Sequence, residues 1–524
     1  MLRNIVKTKW LVLVVFLSCI FLMAGQVAAC DNETNPDIVQ LQILTVNDFH
    51  GALVENGKNT GAAKLVQFLH EAKAELPEGT LIVSAGDMFQ GSSDSNLLFG
   101  KSVVAVMNYA GFDAMTLGNH ELDWGIDVLK QRIAQSDFSY VCANLLDKRT
   151  GKTADFVKPY TIMERSGVKI GMIGIATPET VFKVNPKLIA SYTFADPVQT
   201  VNALVPVLQQ QGVDLIVVVS HLSAFSKENG EVDGDAVDLV WKTKGISAVV
   251  SGHSHQMVSA MVNGVAVVQA GYGGRAVGKV ELLYDKANRQ IDDSSVAVIK
   301  LPYPDLAADP EVQALLEEGQ QEVAAVKGVV VGQNERALDH DRNVRDETLL
   351  GQWATDQMRQ TAQADVAFQN MGGLRTGLAQ GTVTMGNLYE IMPFDNTLVT
   401  VTMTGEQIRK ALEQGLWNEN AGVIQYSGLK VVCDMESRQM VSVTLADGTP
   451  LGLNKTYKVV INDFMASGGD GFIVFQAGRN LTDTGIPVRD MLADAIRKQQ
   501  VIDFSGDNRL ERVNTDQKQG KDAA

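Results

Sequence analysis

"AVVSGHSH", residues 248–255, is the stretch on which the reading of the fold turns. Ala248-Val249-Val250 is a short β-branched apolar run, the composition of a strand buried on both faces. It stops at a Ser-Gly turn, and two histidines two residues apart follow. A His-x-His pair by itself fits a solvated loop as well as a metal site. What decides is whether the same pattern, an apolar run ending in metal-ligand side chains, recurs.

It recurs four times. "LTVNDFH" (44–50) ends in Asp48 and His50, and "LIVSAGD" (81–87) ends in Asp87. "AMTLGNHELD" (114–123) carries Asn119, His120 and Asp123, and "LIVVVSH" (215–221) ends in His221. Five of the seven histidines fall in these turns; His70 and His340 lie elsewhere and read as exposed bystanders. From about Asp37 to Lys300 the apolar runs 41–46, 81–83, 114–117, 140–143, 170–175, 215–219, 248–250 and 265–268 alternate with amphipathic stretches. One such stretch, 62–76, sets Leu65, Val66 and Leu69 against Lys64, Glu71 and Lys73, as a helix does. The expected class is therefore α/β in layers.

In open α/β sheets ligands gather outside the carboxyl ends of the strands. Five strand ends would thus deliver Asp48, His50, Asp87, Asn119, His221, His253 and His255 to one rim. Mixed Asp, Asn and His donors suit divalent Zn, Mn, Co or Mg better than a thiolate site. Seven are too many for one tetrahedral ion, and enough for two ions sharing a carboxylate. Ions roughly 3.5–4 Å apart polarise phosphoryl oxygens and activate water near neutral pH.

The ends and the composition bound the rest. Arg3, Lys7 and Lys9 precede an apolar segment, Leu11 to Met23, and then Val27-Ala28-Ala29-Cys30. This is an export signal over residues 1–29. Cleavage after Ala29 is one outcome; the other is a lipobox that leaves Cys30 as a lipidated terminus anchored to the membrane, in the periplasm or at the cell surface. The formal charge is −16, and residues 1–30 hold three cations and no acid, so residues 31–524 carry −19. That argues against a basic surface for DNA or RNA. Beyond Cys19 and Cys30 only Cys142 and Cys433 remain, each beside valine; they read as buried small apolar residues, and no disulfide framework is expected. A chain of 524 residues exceeds one core. "LPYPDLAADP" (301–310) breaks the α/β pattern and an Ala- and Glu-rich helix over 311–326 follows. The expected organisation is a first domain over 38–305, a helical connector over 306–327, a second, smaller α/β domain over 328–513 and a disordered polar tail over 514–524. No obligate protein partner is evident.

The combined motif DFH…GD…GNHE…SH…GHSH resembles the calcineurin-like metallophosphoesterases. The second half narrows this, because "NMGGLR" (370–375), "PFDN" (393–396), "YSGLK" (426–430) and "NDFMASGGDGF" (462–472) are similar to the C-terminal domain of the 5′-nucleotidase and UDP-sugar hydrolase branch. The resemblance covers about residues 40–510. It implies a four-layer α/β/β/α first domain. It also implies one ion held by Asp48, His50, Asp87 and His255, and a second by Asp87, Asn119, His221 and His253; some members carry Gln or Asn in place of His255. His120 would stabilise phosphoryl charge, with Asp123 orienting it; their spacing puts them on one helical face. Asn370 and Arg375 would contact substrate, Phe394 and Phe464 would sandwich a nucleobase, and Asp470 would hold the ribose. Either phenylalanine alone reads equally as core. A further family arginine stands three residues before Glu-Thr; here Arg345 is two before Glu347, and it is the residue carried over.

The implied activity is an exported, metal-dependent phosphoric ester hydrolase, a 5′-nucleotidase acting on small nucleotides. UDP-sugar hydrolysis and 2′,3′-cyclic-nucleotide hydrolysis remain open within the class. A related dimanganese thiosulfohydrolase shares the metal motifs but needs no base sandwich. A non-catalytic nucleotide-binding lipoprotein is the alternative of a different class, against which the complete ligand set with His120 and Asp123 stands.

Overall fold

Each of the eight apolar runs forms a strand in the computed structural model, which describes residues 37–513 apart from 58, 228, 302–305, 419–421 and 435. The expected export signal, Cys30 and the expected disordered tail lie outside the described residues. Among those described, no helix is long and apolar enough to cross a membrane.

The strands build two six-stranded sheets. In the first, Ile38–Val46, Thr80–Ser84, Ala114–Thr116 and Ser139–Val141 run parallel, and Ala276–Asp285 and Gln290–Lys300 close one edge antiparallel. In the second, Val168–Ile175, Leu215–Ser220, Ala248–Val250 and Val265–Ala270 run parallel between the antiparallel edges Tyr160–Arg165 and Met257–Val262. Strand alternation then divides the apolar side chains between two faces. Leu215, Val217 and Val219 join Leu41, Ile43, Leu81 and Val83 between the sheets, while Ile216 and Val218 turn outward. The outward face of the second sheet is covered by Pro197–Gln210 and Asp235–Lys242, that of the first by Ala62–Glu75 and Lys101–Ala110. The layers are α/β/β/α, as the resemblance implies. Cys142 and Cys433 are both buried, one in each half of the chain.

The second half folds around a five-stranded mixed sheet in the order Gln425–Ser427, Val366–Gln369, Thr456–Asn462, Thr397–Thr404, Arg479–Pro487. One core lies on each face, capped by helices that include Gly405–Leu416 on one side and Leu349–Ala362 with Val488–Gln499 on the other. Between the halves, the helix Pro310–Lys327 starts on an Asp309 cap that accepts from the backbone N–H of Glu311 and Val312. It is docked on the first domain. Val312 belongs to the core beneath the first sheet, Lys101 pairs with Glu322 at 2.9 Å, and the Lys327 ammonium sits 2.6 Å from the carboxylate of buried Asp94.

Candidate metal centre and substrate cleft

Parallel register brings the ligand-bearing turns to one level. Val46 is paired with Ser84 and Ser84 with Met115 in one sheet, and Val219 with Val250 in the other. The turns then meet across the gap between the sheets. The backbone N–H of His253 donates to both carboxylate oxygens of Asp48, at 3.2 and 3.0 Å, and His221 Nε2 lies 3.1 Å from Asp87 Oδ2.

Two groups of donors result. Asp48, His50 and His255 form one and Asp87, His221 and His253 the other, each with ligand atoms within 4.8 Å of one another. A third group, His50, Asp87 and His120, overlaps both, so Asp87 stands between the two sites. Asn119 Oδ1 is buried with no hydrogen-bond partner. An orphaned acceptor of that kind costs about 1–3 kcal/mol unless a cation or donor fills it. The residues therefore fit a pair of divalent ions, and all seven sequence-derived ligand candidates converge.

The histidines are held by their other nitrogens. His50 Nδ1–H donates to Gln90 O at 2.9 Å and His221 Nδ1–H to Ala85 O at 2.7 Å, which leaves each Nε2 as the atom available to a metal. Burial alone would raise the Asp87 carboxyl, but His221 and His120 outweigh it and hold it well below the usual range. The backbone is strained at the same places. Of the fourteen non-glycine residues with left-handed φ among those described, five are Asp48, His50, Asp87, His253 and His255, at 49°, 52°, 55°, 75° and 60°. Such strain collects where surrounding structure over-determines a functional geometry. Gly118 is required by close approach, because a Cβ there would stand 2.1 Å from Asp87 Oδ1.

His120 opens a short 3-10 turn, His120–Leu122, and its Nδ1–H donates to Asp123 Oδ2 at 2.6 Å. In a 3-10 turn positions i and i+3 eclipse, so the spacing gives the pair directly. Burial would lower the imidazole, but Asp123 and Asp87 prevail and raise it. That bond leaves Nε2 uncommitted.

Facing these turns, the second domain closes a cavity of about 820 Å³. Asn370, Arg375, Phe394, Phe464, Asp470 and Arg345 all line it. Arg375 is half-buried beneath Phe394, its Cζ 5.9 Å from the ring centroid; loss of solvation and then Arg342 lower its guanidinium, to about 9, still cationic at neutral pH. Asn370 donates to Asp470 Oδ2 at 2.7 Å. Phe394 stacks on His120 with centroids 6.0 Å apart and also packs on the core of its own domain. Phe464 lies over Gly469 and packs on the opposite core. Arg345 donates to Asn418 O at 2.9 Å on the rim.

Several residues escaped the sequence reading. Arg342, three before Arg345, lines the cavity and acts electrostatically on both Arg375 and His255; spacing alone does not choose between two arginines in one loop. Glu121, the last letter of the GNHE motif, is 2% exposed and accepts from the backbone N–H of Asp87, Met88 and Gly118 at 2.8, 2.7 and 2.7 Å. It fixes the Asp87 turn against the Asn119 turn. Glu179 follows a sixth strand end, Val168–Ile175, whose turn carries no histidine to mark it. One expectation is corrected: His340 is not an exposed bystander. It is half-buried, its Nδ1 is 2.8 Å from Thr348 Oγ1, and burial lowers it to about 4. His70 is also only partly exposed and lies 3.4 Å from Asp309.

Residues 41–257 match the calcineurin-like phosphoesterase family and residues 323–477 the 5′-nucleotidase C-terminal domain. The chain is 32% identical over 455 residues to Endonuclease YhcR of Bacillus subtilis, an alignment covering 82% of this chain and 37% of that protein. It is 30% identical over 552 residues to Cell wall protein Lmo0130 of Listeria monocytogenes, covering 93% and 69%. The chain thus spans little more than a third of the first relative and about two thirds of the second. Among solved structures, a 5′-nucleotidase precursor from Thermus thermophilus superposes with a TM-score of 0.78 at 30% identity, over 91% of this chain and all of that one.

Proposed function

The chain belongs to the 5′-nucleotidase family of metallophosphoesterases, and from that premise we propose that it hydrolyses nucleoside 5′-phosphates to nucleoside and phosphate at a centre of two divalent ions. The observation that carries this reading is the shared cavity. Asp87, Asn119, His253 and His255, drawn from the two donor groups, line one wall, and Arg375, Asn370, Asp470 and two phenylalanines line the other. Its volume lies in the range typical of small-molecule sites.

Asp48, His50, Asp87 and His255 would hold one ion and Asp87, Asn119, His221 and His253 the other. Bound there, the ions would supply an activated water and neutralise phosphoryl charge. The rest falls to the chain's own groups. Arg375 presents a planar donor fork suited to phosphate oxygens. His120, kept cationic by Asp123, donates from Nε2 where charge develops on the phosphoryl group in the transition state. Asn370 and Asp470 offer a paired donor and acceptor to a ribose, and Phe394 and Phe464 offer flat apolar faces to a base.

The experiment is a phosphate-release screen over nucleoside monophosphates, ADP, ATP, UDP-glucose and 2′,3′-cyclic nucleotides. It is run with Mn²⁺, Zn²⁺, Co²⁺ or Mg²⁺ and with chelator. The proposal expects monophosphates to lead, activity to vanish on chelation and metal to restore it. Release unaffected by chelator, or no release from any nucleotide, would overturn it.

The N-terminal signal supports an exported protein, and Val27-Ala28-Ala29-Cys30 supports a lipid anchor on Cys30. Cys30→Ser should move the protein from the membrane fraction to the soluble exported fraction; an unchanged distribution would argue for cleavage without lipidation.

A further inference from the structure

His253 differs from the other histidines of the centre. His50 and His221 turn Nε2 inward and anchor Nδ1 on a backbone carbonyl. His253 turns Nδ1 inward, 3.3 Å from His221 Nε2, and its Nε2 meets a side chain, the Glu179 carboxylate, at 3.1 Å. The contact joins two separate turns, one after Val168–Ile175 and one after Ala248–Val250. The His253 side chain is 13% exposed and that of Glu179 is 50% exposed, so Glu179 is not placed there by core packing.

We propose that Glu179 is a positioning residue for the second ion, holding His253 in the Nδ1-ligating tautomer and orientation; this rests on the dimetal reading above. A carboxylate that accepts from the remote N–H of a ligating imidazole fixes the ring and raises its basicity, and loss of such a partner typically weakens metal binding by 10–100-fold. Glu179 touches neither ion nor substrate in this scheme; its effect passes through His253. The segment that follows adds a link to the substrate wall. Lys183, in the short helix Thr180–Lys183, lies 3.4 Å from Asp470, and Asn185 donates to Asp463 at 2.8 Å. One short segment thus touches a ligand of the second ion at its start and the second domain a few residues on.

The test is calorimetric titration of the metal-stripped full chain with Mn²⁺, for wild type, Glu179→Ala, Glu179→Gln and Asp235→Asn. Wild type should bind two ions. Glu179→Ala should still bind two, with one site weakened about 10–100-fold and the other unchanged. Glu179→Gln keeps an acceptor oxygen without the charge and should fall between. Asp235 is a carboxylate that senses both Glu179 and His253 electrostatically, so Asp235→Asn controls for general charge and should weaken neither site as Glu179→Ala does. Turnover lost by Glu179→Ala at limiting Mn²⁺ should return at saturating Mn²⁺. Unchanged affinities in Glu179→Ala would overturn the proposal, as would an equal loss in Asp235→Asn, which would assign the effect to general charge. A wild type that binds fewer than two ions would instead defeat the dimetal reading.

Discussion

In the proposed mechanism His120 would act at one atom, Nε2, because Nδ1 is committed to Asp123 at 2.6 Å. His120→Ala should therefore retain its metal and lose turnover, by about 10²–10³-fold, the usual cost of removing one transition-state donor. Metal analysis beside kcat checks this, and a lost equivalent of metal would make His120 a ligand instead. His340 offers a residue-scale test of stability. Burial lowers its folded-state pKa to about 4, below the ordinary value of 6.5. The unfolded chain then binds more protons between those values, so this contribution is full above pH 6.5 and is lost as the pH falls toward 4. In metal-free protein, His340→Gln should lose less stability than wild type between pH 6.5 and 4, read by thermal melting. Parallel curves would show that His340 titrates normally in the fold.

At the scale of elements, the site is a set of strand-end turns held in fixed relation. Glu121 gathers three backbone N–H groups from the Asp87 and Asn119 turns, and Gly118 lets those turns touch. Gly118→Ala should force Asp87 Oδ1 away from a Cβ that would otherwise stand 2.1 Å from it. The expected result is loss of tight metal binding in a protein that still folds, measured by metal stoichiometry after gel filtration and by circular dichroism. Full stoichiometry in this variant would mean that the turn has slack. These turns also mark what could be read in advance. Eight buried strands were legible because continuous apolar runs have few other interpretations, and five turns were legible because each strand ended in Asp, Asn or His. The antiparallel edges Tyr160–Arg165 and Gln290–Lys300 were not, since half-exposed strands dilute the apolar signal. Glu179 and Arg342 were missed for a different reason. A single charged residue in a loop has no periodicity, and only the folded geometry shows what it touches.

At the scale of the molecule, the candidate metal centre and the proposed recognition residues occupy facing walls. Phe464 is the cleaner probe of the second wall, because Phe394 also stacks on His120. Base stacking contributes roughly 1–3 kcal/mol, so Phe464→Ala should raise KM for AMP by about tenfold or more at ~1.4 kcal/mol per decade. p-Nitrophenyl phosphate, which lacks a base, should be little affected; equal losses on both substrates would mark Phe464 as core. The helix Pro310–Lys327 bears on how this wall moves. It is fastened to the first domain from Val312 to the Lys327–Asp94 pair, so a pivot between the halves has to lie beyond Lys327. On the proposed function, every group that would grip a nucleoside belongs to the second domain, and letting the product go would mean sweeping that domain through solvent. Friction enters the rate whenever release is the slow step. Turnover of AMP at saturation should accordingly fall as sucrose thickens the medium, while p-nitrophenyl phosphate, held by fewer contacts and limited by bond cleavage, should barely respond. Identical drag on both substrates, or none on either, would place the slow step elsewhere than in the swing of the domain.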